Sequence, residues 1–384
     1  MFVYQNSLRH LLRPEHYCSV SHYDREIAEL FRPTWQLVAT KSELSATGDF
    51  LTDDLFGRPI LIRNCDGHYA AFENICSHRH CLLTHEPSGN SPSLRCQYHG
   101  WEYDNQGKTA KIPDARCFRP WDRDNSMLNT FRIESCGDLL FATLSESVPP
   151  LKEWLSPFFD ETETAFSAPV WQQKHVWEYD TSCNWKIPVE NTLESYHLPE
   201  LHKNSLFGFM PTEEDSEHML SERWTALTYS GQGGSWLERL QGSVSQWLGR
   251  KPTLQYRHRH IHPNTILVSS DTINYAQTLI PTSPRTVRIK VRFFGVRGTR
   301  RGLLAALISR IAWRIGRSRT LQVMSEDLSI YEAQQRGLEA SHHPGVIGTR
   351  EERIHVFQKY ILESLSIALP DDPAEANANL AANS

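Results

Sequence analysis

The stretch that decides the fold lies between residues 76 and 104 and holds two short motifs, CSHRH at 76–80 and CQYHGWEYD at 96–104. Each motif places one cysteine and one histidine near the end of a predicted strand, which gives the set Cys76, His78, Cys96 and His99. Two thiols and two imidazoles, supplied as one pair from each of two loops, are the ligand set of a metal site.

The four side chains suit a Rieske [2Fe–2S] centre, in which two histidines replace two cysteines on one iron. The same set can hold a tetrahedral zinc ion. The order of the ligands favours the iron–sulfur cluster, because zinc modules usually pair cysteine with cysteine and histidine with histidine. Cys81 follows the first motif closely. It is either a spare ligand or, as the stronger interpretation, a small apolar packing residue.

Short strands separated by turn residues surround the two motifs. RPILIR at 58–63 and YAAFENI at 69–75 predict two strands joined by a hairpin turn at Asp66-Gly67. The first ligand pair follows the second of these strands directly. We therefore expect an all-β domain over residues 34–150, with the ligands at hairpin tips.

The composition is that of a globular protein, with 384 residues, 39% hydrophobic and 22% charged side chains and a net charge of −5. This charge gives no reason to expect nucleic acid or an anionic membrane as a partner. No apolar run reaches the roughly 18 to 20 residues that a membrane span requires, and the N-terminus lacks the layout of a signal peptide. Since the eight cysteines show no general pairing, we expect reduced thiols and a cytoplasmic location.

A second constellation lies in NWKIPVENTLESYHLPELH at residues 184–202, where Glu194, His197 and His202 follow an E-x-x-H-x4-H spacing. Glu194 and His197 share one face of a predicted helix, whereas His202 lies about 140° from His197 on a straight helix. A kink at Pro199 would turn both imidazoles toward one point. Two nearby histidines alone are more often surface or capping residues, but beside the first motif they predict a second metal site.

The third ligand of that site is expected from the predicted helix at residues 320–338, TLQVMSEDLSIYEAQQRGL. Asp327 lies near the buried stripe of this helix, while Glu326 points away from it; the stripe consists of Met324, Leu328 and Tyr331. Because a carboxylate that faces a core needs a partner, we assign Asp327 rather than Glu326, with a salt-bridged helix acid as the alternative. Two histidines and one carboxylate form the facial triad of non-haem Fe(II) oxygenases.

The rest of the chain predicts a second, mixed domain after Pro149-Pro150. Alternating segments at 176–187 and 286–296 predict strands of a larger antiparallel sheet. Two helices are expected at 302–316 and 320–337. The predicted class is α+β. Residues 1–33 are expected to form a helical segment packed on the second domain, and residues 34–150 the all-β domain. The second domain is expected over residues 151–365 and a disordered tail over residues 366–384.

Together the two motifs resemble those of the Rieske non-haem iron oxygenases, the catalytic α subunits of ring-hydroxylating and related oxygenases. The resemblance covers about residues 34 to 340. It implies a Rieske domain followed by a helix-grip, START-like antiparallel-sheet catalytic domain. It also implies a [2Fe–2S] cluster, a mononuclear Fe(II) on His197, His202 and Asp327, and a homotrimer. Electrons would come from NAD(P)H through a separate reductase or ferredoxin, to oxidise a small molecule with O2.

In this family a carboxylate bridges the cluster of one subunit and the iron of its neighbour. Glu194 stands at that position, where most members carry Asp, and would orient His197. The glutamate resembles the branch that acts on carnitine, betaine and other quaternary ammonium substrates. Three aromatic residues could then form a cation-binding cage, although each alone is better explained as a core residue: Trp224, Tyr256 and Tyr275.

Two further features leave alternatives open. His80 replaces a glycine that is common in the family, and a solvated loop residue is favoured over one that alters the cluster. The basic stretch at 297–319 is interpreted as a solvated face with an apolar side packed on the domain; docking of an acidic electron-transfer partner or a membrane-surface helix are the alternatives. A Rieske electron-transfer or ligand-binding protein without oxygen chemistry is the rival function, and the spacing of His197 and His202 counts against it.

Overall fold

The computed structural model describes residues 2–6, 8–120, 126–206, 210–231 and 236–369. The chain divides into two compact units. We call residues 31–173 the cluster unit, and residues 1–30 together with 174–384 the triad unit. None of the described helices combines the length and the apolar composition that crossing a bilayer requires. Most of the predicted tail, residues 370–384, lies outside the described residues.

The N-terminal segment of the triad unit contains one short strand and two short helices, β1 (Leu8–Arg9), α1 (Glu15–Cys18) and α2 (Val20–Glu26), followed by a π-helical turn over Ile27–Phe31. At the end of α2, the carboxylate of Glu26 pairs with Lys186 Nζ at 2.6 Å and accepts a hydrogen bond from Trp185 Nε1 at 2.8 Å. All three side chains are buried. This buried, hydrogen-bonded ion pair ties the segment to the residues that lead into the second predicted metal site.

The cluster unit is an antiparallel β structure. Its strands are β2 (Gln36–Thr40), β3 (Asp49–Asp54), β4 (Pro59–Cys65), β5 (His68–Glu73), β6 (Ser88–Asn90), β7 (Leu94–Arg95), β8 (Glu102–Tyr103), β9 (Thr109–Lys111), β10 (Thr130–Cys136) and β11 (Leu139–Thr143). Seven of them form one sheet in the order β2-β11-β10-β5-β4-β3-β6, and the others form a sheet in the order β7-β8-β9. β4 and β5 pair as the hairpin predicted at Asp66-Gly67, and both turn residues have positive φ.

The division between the units falls at residue 173, whereas the sequence-based boundary lies at residue 150. The difference has a physical reason. Two short helices follow Pro150, α3 (Leu151–Trp154) and α4 (Phe159–Ala165). Both pack against β10 of the cluster unit, so this part of the chain contributes to the core of the first unit.

The triad unit is built on a second seven-stranded sheet. Its strands are β12 (Trp171–Thr181), β13 (Ser216–Leu220), β14 (Trp224–Ser230), β15 (Gln255–Ile261), β16 (Thr265–Ser269), β17 (Ile273–Ser283) and β18 (Thr286–Val296); a further strand, β19 (Val346–Ile347), pairs with β1. The order is β12-β18-β17-β16-β15-β14-β13, and neighbours from β13 to β18 run antiparallel. The strand predicted at 286–296 is β18, while β12 covers only part of the segment predicted at 176–187.

The further helices of this unit are α5 (Lys186–Leu193), α6 (Leu198–Leu201), α7 (Trp236–Trp247), α8 (Leu303–Ala340) and α9 (Glu352–Ser364). α8 packs on β17 and β18, and α9 packs on β13 and β14. The predicted α+β class, with an all-β domain followed by a domain in which a large antiparallel sheet packs on a long helix, is confirmed.

α8 is one continuous helix of 38 residues, so the prediction of two separate helices at 302–316 and 320–337 is wrong. The segment between them, Arg317-Ser318-Arg319, contains no proline and no glycine that would end a helix. The hydroxyl of Thr320 donates to the carbonyl of Gly316 at 3.0 Å, so its side chain bonds within the helix instead of capping a new one.

Candidate metal centres

The two ligand loops of the cluster unit, which begin at Cys76 and Cys96, share one backbone geometry. In each loop the cysteine N–H donates to the carbonyl five residues later at 2.8 Å, and the N–H four residues after the cysteine donates back to the cysteine carbonyl at 3.0 Å. His80 (φ +59°) and Gly100 (φ +71°) hold equivalent left-handed positions. Glycine adopts this conformation readily, so the exposed His80 departs from the family pattern at a position with a conformational cost.

The loops bring the four predicted cluster ligands together. The thiols of Cys76 and Cys96 are buried and in contact, and the rings of His78 and His99 meet edge to face with centroids 4.8 Å apart. Burial lowers the pKa of His78, and its Nδ1 is buried without a hydrogen-bond partner among the described residues. This donor set fits a cluster with thiolates on an inner iron and imidazoles on an outer one. Cys81 packs against the surrounding apolar cluster, in line with the packing role.

Tyr103 is a residue of this site that the sequence did not single out. Its hydroxyl lies 3.1 Å from Cys76 Sγ and 2.9 Å from Ser77 Oγ, and it accepts a hydrogen bond from the Ser77 N–H at 3.1 Å. Burial raises the pKa of Tyr103, which keeps the phenol protonated and able to donate to the sulfur. Its position on β8, directly after the second ligand loop, was the available signal.

The second predicted site follows a break in the helix, and that break lies at Glu194 rather than at Pro199. Glu194 is extended, with φ −129° and ψ 170°. Pro199 lies in the first turn of α6, where the N–H that proline lacks would have no partner within the helix. The predicted kink at Pro199 and the shared helical face of Glu194 and His197 are therefore wrong. Two short helices joined by an extended link bring His197 and His202 to the same side.

The two histidines and Asp327 converge on one point. Oδ1 of Asp327 lies 3.2 Å from Nε2 of His202 and 3.6 Å from Nε2 of His197, and one donor atom from each residue lies within 4.8 Å of the others. Nε2 of His202 is buried without a hydrogen-bond partner among the described residues. Asn191 of α5 donates to Oδ1 of Asp327 at 2.9 Å, a contact that sequence reasoning missed. Three converging donors of this chemistry fit a facially bound metal ion.

Two carboxylates hold the imidazole rings so that both Nε2 atoms face inward. Nδ1 of His197 pairs with the carboxylate of Glu194, and Nδ1 of His202 lies 2.8 Å from Oε2 of Glu326. An Nδ1–H donated to a carboxylate leaves the Nε2 lone pair free for a metal. Burial lowers the pKa of His202, but the carboxylates of Asp327 and Glu326 outweigh it and leave that pKa raised. A bound metal would take the place of that proton.

Glu326 reaches into the site, contrary to the prediction that it points away. Its carboxylate accepts hydrogen bonds from Ser205 Oγ at 2.6 Å and from Gln322 Nε2 at 3.2 Å, in addition to facing His202. Burial raises the pKa of Glu326, but these hydrogen bonds outweigh burial and leave it lowered. The prediction failed because it used only the angular position of the Cα atom, whereas a glutamate side chain is long enough to bend around a neighbouring ring.

The proposed aromatic cage is only partly assembled. The hydroxyls of Tyr256 and Tyr275 lie 3.3 Å apart, and both belong to one wall of the sheet. Tyr256 pairs in register with Tyr229, so the two share a face. Trp224 lies five residues before Tyr229 on the same strand, β14. Because side chains alternate along a strand, Trp224 points to the opposite face and the three-residue cage does not form.

The first half of α8, residues 303–315, exposes most of its large apolar side chains: Leu303 (93%), Leu304 (59%), Leu307 (53%), Ile311 (48%) and Ile315 (48%). The fully buried positions of this half carry small residues, Ala305 and Ser309. One side of this stretch packs on the domain as predicted, through Ala305, Ser309 and Trp313, but most of its large apolar side chains lie on the exposed side. The docking and membrane-surface alternatives stay predictions.

Two family descriptions match the chain. "Rieske [2Fe-2S] domain" matches residues 34–132, and "Ring hydroxylating alpha subunit (catalytic domain)" matches residues 170–367. The first range contains all four predicted cluster ligands, and the second contains the converging histidines and Asp327.

Curated relatives match over shorter lengths. The anthranilate 1,2-dioxygenase large subunit of Burkholderia cepacia is 34% identical over 193 residues, which is 47% of this chain and 45% of that protein. The glycine betaine monooxygenase oxygenase subunit of Pseudomonas aeruginosa is 29% identical over 219 residues, 55% of this chain and 50% of that protein. The chain thus spans about half the length of the curated relatives it matches.

Solved structures match over nearly the whole chain. The quaternary ammonium Rieske monooxygenase CntA in complex with L-carnitine has a TM-score of 0.73 at 20% identity, over 94% of this chain and 99% of that chain. Naphthalene 1,2-dioxygenase from Rhodococcus sp. bound to indole has a TM-score of 0.74 at 15% identity, over 92% and 94%. At these identities the likeness shows a common fold.

Proposed function

The chain belongs to the family of ring-hydroxylating α subunits that carry a Rieske [2Fe–2S] domain, and on this basis we propose that it is the terminal oxygenase component of a Rieske-type system. In this role it receives electrons from NAD(P)H through a separate reductase or ferredoxin. It acts as a homotrimer in the cytoplasm and hydroxylates or demethylates a small organic substrate. Aromatic and quaternary ammonium compounds are the two classes that the names of its relatives support.

The residues divide into two metal-binding sets, Cys76, His78, Cys96 and His99 for the [2Fe–2S] cluster and His197, His202 and Asp327 for Fe(II). When bound, the cluster transfers single electrons and Fe(II) activates O2. Glu194 fixes the ring of His197 and serves as the electron-transfer bridge between subunits. Glu326 fixes the ring of His202, and Asn191 holds Asp327.

One observation carries the proposal: three donor atoms converge within 4.8 Å, and the outer nitrogen of each histidine is held by a carboxylate. This arrangement presents neutral Nε2 donors to a metal and leaves the rest of its coordination sphere to small molecules. It counts against the rival function of a Rieske electron-transfer protein, because such a protein has no use for a second site.

Iron and acid-labile sulfide analysis of anaerobically purified protein tests the proposal. We expect two cluster irons plus one mononuclear iron per chain, and O2 uptake that depends on both a reductase and a substrate. Asp327→Ala should lose the mononuclear iron and keep the cluster, whereas Glu332→Ala, an exposed acid on the same helix, should keep both. A wild-type protein with the cluster alone and no substrate-dependent O2 uptake would support the electron-transfer function instead. A colourless zinc protein would refute both.

A further inference from the structure

The N-terminal part of α8, residues 303–319, packs on the triad unit through one side only. This inner side consists of small residues and one tryptophan. Ala305 and Ser309 are buried, and the hydroxyl of Ser309 donates to a backbone carbonyl of β18. The ring of Trp313 lies 6.3 Å from that of Phe293, which also belongs to β18. These contacts fix which side of the helix faces the sheet.

The opposite side of this helix segment is a row of aliphatic residues that we call the exposed ridge: Leu303, Leu304, Leu307, Ile311 and Ile315. About half or more of each side chain is exposed. From Leu304 onward these residues recur at intervals of three and four, which at about 100° per residue confines them to an arc of about 80°. Ser309 of the inner side lies about 160° from Ile311. The ridge therefore points away from the sheet.

The exposed ridge is more than ordinary variation of a protein surface. Single exposed apolar side chains are normal in globular proteins, whereas a contiguous apolar patch marks an interaction site. The other large hydrophobic side chains exposed in the described part of the chain are scattered along the sequence. None of them forms a run comparable to the ridge. We therefore expect this side of α8 to have a binding partner.

Arginines border the ridge, and no acidic residue interrupts it. The stretch at 297–319 contains seven arginines and no aspartate or glutamate. Arg310 and Arg314 are exposed and lie about 100° and 60° from Ile311 around the helix, on one flank of the ridge. Arg301 is exposed just before the ridge begins. The partner that fits this surface is therefore both apolar and anionic.

The net charge of −5 does not oppose this conclusion. At physiological ionic strength, charges more than about 8 Å apart are largely screened. An anionic surface in contact with the ridge is therefore attracted by the neighbouring arginines and is little affected by the acidic groups elsewhere on the molecule. The same screening means that an anionic surface would bind the protein in one orientation, with the N-terminal part of α8 against it.

The composition of the ridge favours a lipid surface over a protein partner. Protein interfaces concentrate their binding energy in tryptophan, tyrosine and arginine, and leucine is under-represented among these residues. Helices that lie in a membrane surface instead present leucine beside lysine or arginine. A second copy that bound through the same ridge would bring the arginines of both copies together, which is unfavourable. Because no described helix could cross a bilayer, the contact would be with the membrane surface.

We propose that the exposed ridge of α8 binds anionic phospholipid at a membrane surface. The aliphatic side chains enter the boundary between headgroups and acyl chains. Arg310 and Arg314 extend their apolar stems along this boundary and place their guanidinium groups beside the phosphates. The inference goes beyond the proposed oxygenase function and does not depend on it. It agrees with the proposed location, since the cytoplasmic leaflet is the one that carries anionic lipid.

Flotation of the full-length protein with lipid vesicles tests the proposal. Vesicles made of equal parts phosphatidylglycerol and phosphatidylcholine are compared with vesicles of phosphatidylcholine alone. We expect the protein to float with the anionic vesicles, to be released from them by high salt, and to stay unbound beside the neutral ones. Absence of binding to the anionic vesicles, or equal binding to both compositions, would overturn the proposal.

An apolar substitution locates the contact. The double variant Leu307→Gln, Ile311→Gln should weaken binding to anionic vesicles about 100-fold, because two large aliphatic side chains can no longer be buried in lipid. Leu240→Gln on α7 is the matched control, since Leu240 is exposed to 45% and Ile311 to 48%. This control should bind like the wild type. Wild-type binding by the double variant, or equal weakening in the control, would contradict the role of the ridge.

A charge substitution tests the arginines independently. Arg314→Gln should weaken binding about fivefold, the effect of one arginine near an anionic surface. Arg336→Gln is the control, because Arg336 is exposed on the same helix but lies about 33 Å farther along its axis. We expect no change in this control. Equal affinities of the two variants would show that Arg314 does not contact the lipid.

Sedimentation velocity without lipid distinguishes the membrane from a second copy of the chain. The double variant at Leu307 and Ile311 should form the same oligomer as the wild type and unfold at a similar temperature, because both residues lie on an exposed surface. A smaller oligomer in the double variant, together with no vesicle binding by the wild type, would assign the ridge to a contact between copies and would overturn the proposal.

Discussion

The carboxylate of Glu326 lies 2.8 Å from Nδ1 of His202, on the side of the ring that faces away from the converging donor atoms. The next residue, Asp327, approaches Nε2 of the same ring at 3.2 Å. Two consecutive acids of α8 therefore contact both nitrogens of one imidazole. A turn of about 100° per residue separates the two side chains enough for the ring to lie between them. One helix thus supplies one candidate ligand, Asp327, and also fixes the orientation of another, His202.

Glu326→Gln should weaken Fe(II) binding about 10- to 100-fold, because a carboxylate behind a ligating histidine raises its basicity and fixes its tautomer. The measurement is an anaerobic titration of Fe(II) or Co(II) in competition with a chelator. Glu332→Gln on the exposed side of the same helix is the control. Equal affinities in the two variants would show that Glu326 does not act through His202.

Glu194→Ala should stop substrate turnover while the spectrum of the cluster stays unchanged. Glu194 holds Nδ1 of His197 and is the proposed bridge between the centres. The variant is assayed at saturating Fe(II), which offsets the expected loss of iron affinity. A stopped-flow measurement of cluster reoxidation in the presence of substrate checks the prediction. Reoxidation at the wild-type rate would remove the bridging role.

Tyr103→Phe should lower the reduction potential of the cluster. The phenol lies 3.1 Å from Cys76 Sγ, and hydrogen bonds to the sulfurs help set the potential of iron–sulfur clusters. A hydrogen bond of about 1 kcal/mol corresponds to roughly 40 mV for a one-electron couple. Protein-film voltammetry measures the shift. An unchanged potential with an intact cluster would mean that the hydroxyl does not donate to the sulfur.

His80→Gly should stabilise the cluster unit by about 0.5–1 kcal/mol, because His80 holds a left-handed conformation that glycine adopts without a side-chain clash. The equivalent position of the second loop already carries Gly100. Arg79→Gly, one residue earlier and also exposed, is the matched control. Arg79 does not have a positive φ, so the Arg79→Gly variant should lose a similar amount of unfolding free energy. Thermal unfolding followed through the visible cluster absorbance distinguishes the two; a destabilised His80→Gly protein would contradict the strain at this position.

A fall in pH should destabilise the triad unit at pH values well above those at which carboxylates titrate. Burial lowers the pKa of His262 to about 3 and holds those of His258 and His260 well below the usual value. In the unfolded chain each titrates near 6.5. Below pH 6.5 the unfolded chain binds protons at these histidines and the folded chain does not. The free energy of unfolding therefore has its full value above pH 6.5 and falls as the pH decreases toward 3. Each histidine contributes about 1.4 kcal/mol per pH unit.

Unfolding temperatures at pH 7.5 and pH 5.5 check this prediction. His262→Gln removes one of the three titrating groups and should flatten the decline by about a third of the histidine contribution. A decline of the same steepness in both proteins would show that other groups control the acid sensitivity.

The convergence of the candidate ligand residues was predictable because a metal site draws its donors from short stretches of sequence; their role as ligands stays a prediction. Cys76 with His78, and His197 with His202, are close enough along the chain for their spacing to carry the information. Asp327 could be chosen from helical periodicity once two histidines needed a carboxylate. The α+β class followed for a similar reason, since strand alternation and the hairpin at Asp66-Gly67 are local patterns.

The predictions that were wrong concern features that depend on contacts between segments distant in sequence. Glu326 meets a histidine 124 residues away, and no local angle predicts that reach. The break at Glu194 was assigned to Pro199 because proline is the obvious breaker, yet a proline in the first turn of a new helix is unstrained. Arg353 resembles any surface arginine in sequence. It becomes buried only when α9 packs on β14 and its guanidinium reaches His258 of β15.

The ion pair between Glu26 and Lys186 has a consequence for the order of assembly during synthesis. Glu26 leaves the ribosome before any residue of the cluster unit, and its partner emerges only after that whole unit has been made. The cluster unit can therefore fold at a stage when the carboxylate of Glu26, at the end of α2, is still hydrated and has no ion-pair partner. The order of synthesis therefore allows the cluster unit to fold before the ion pair between Glu26 and Lys186 can form.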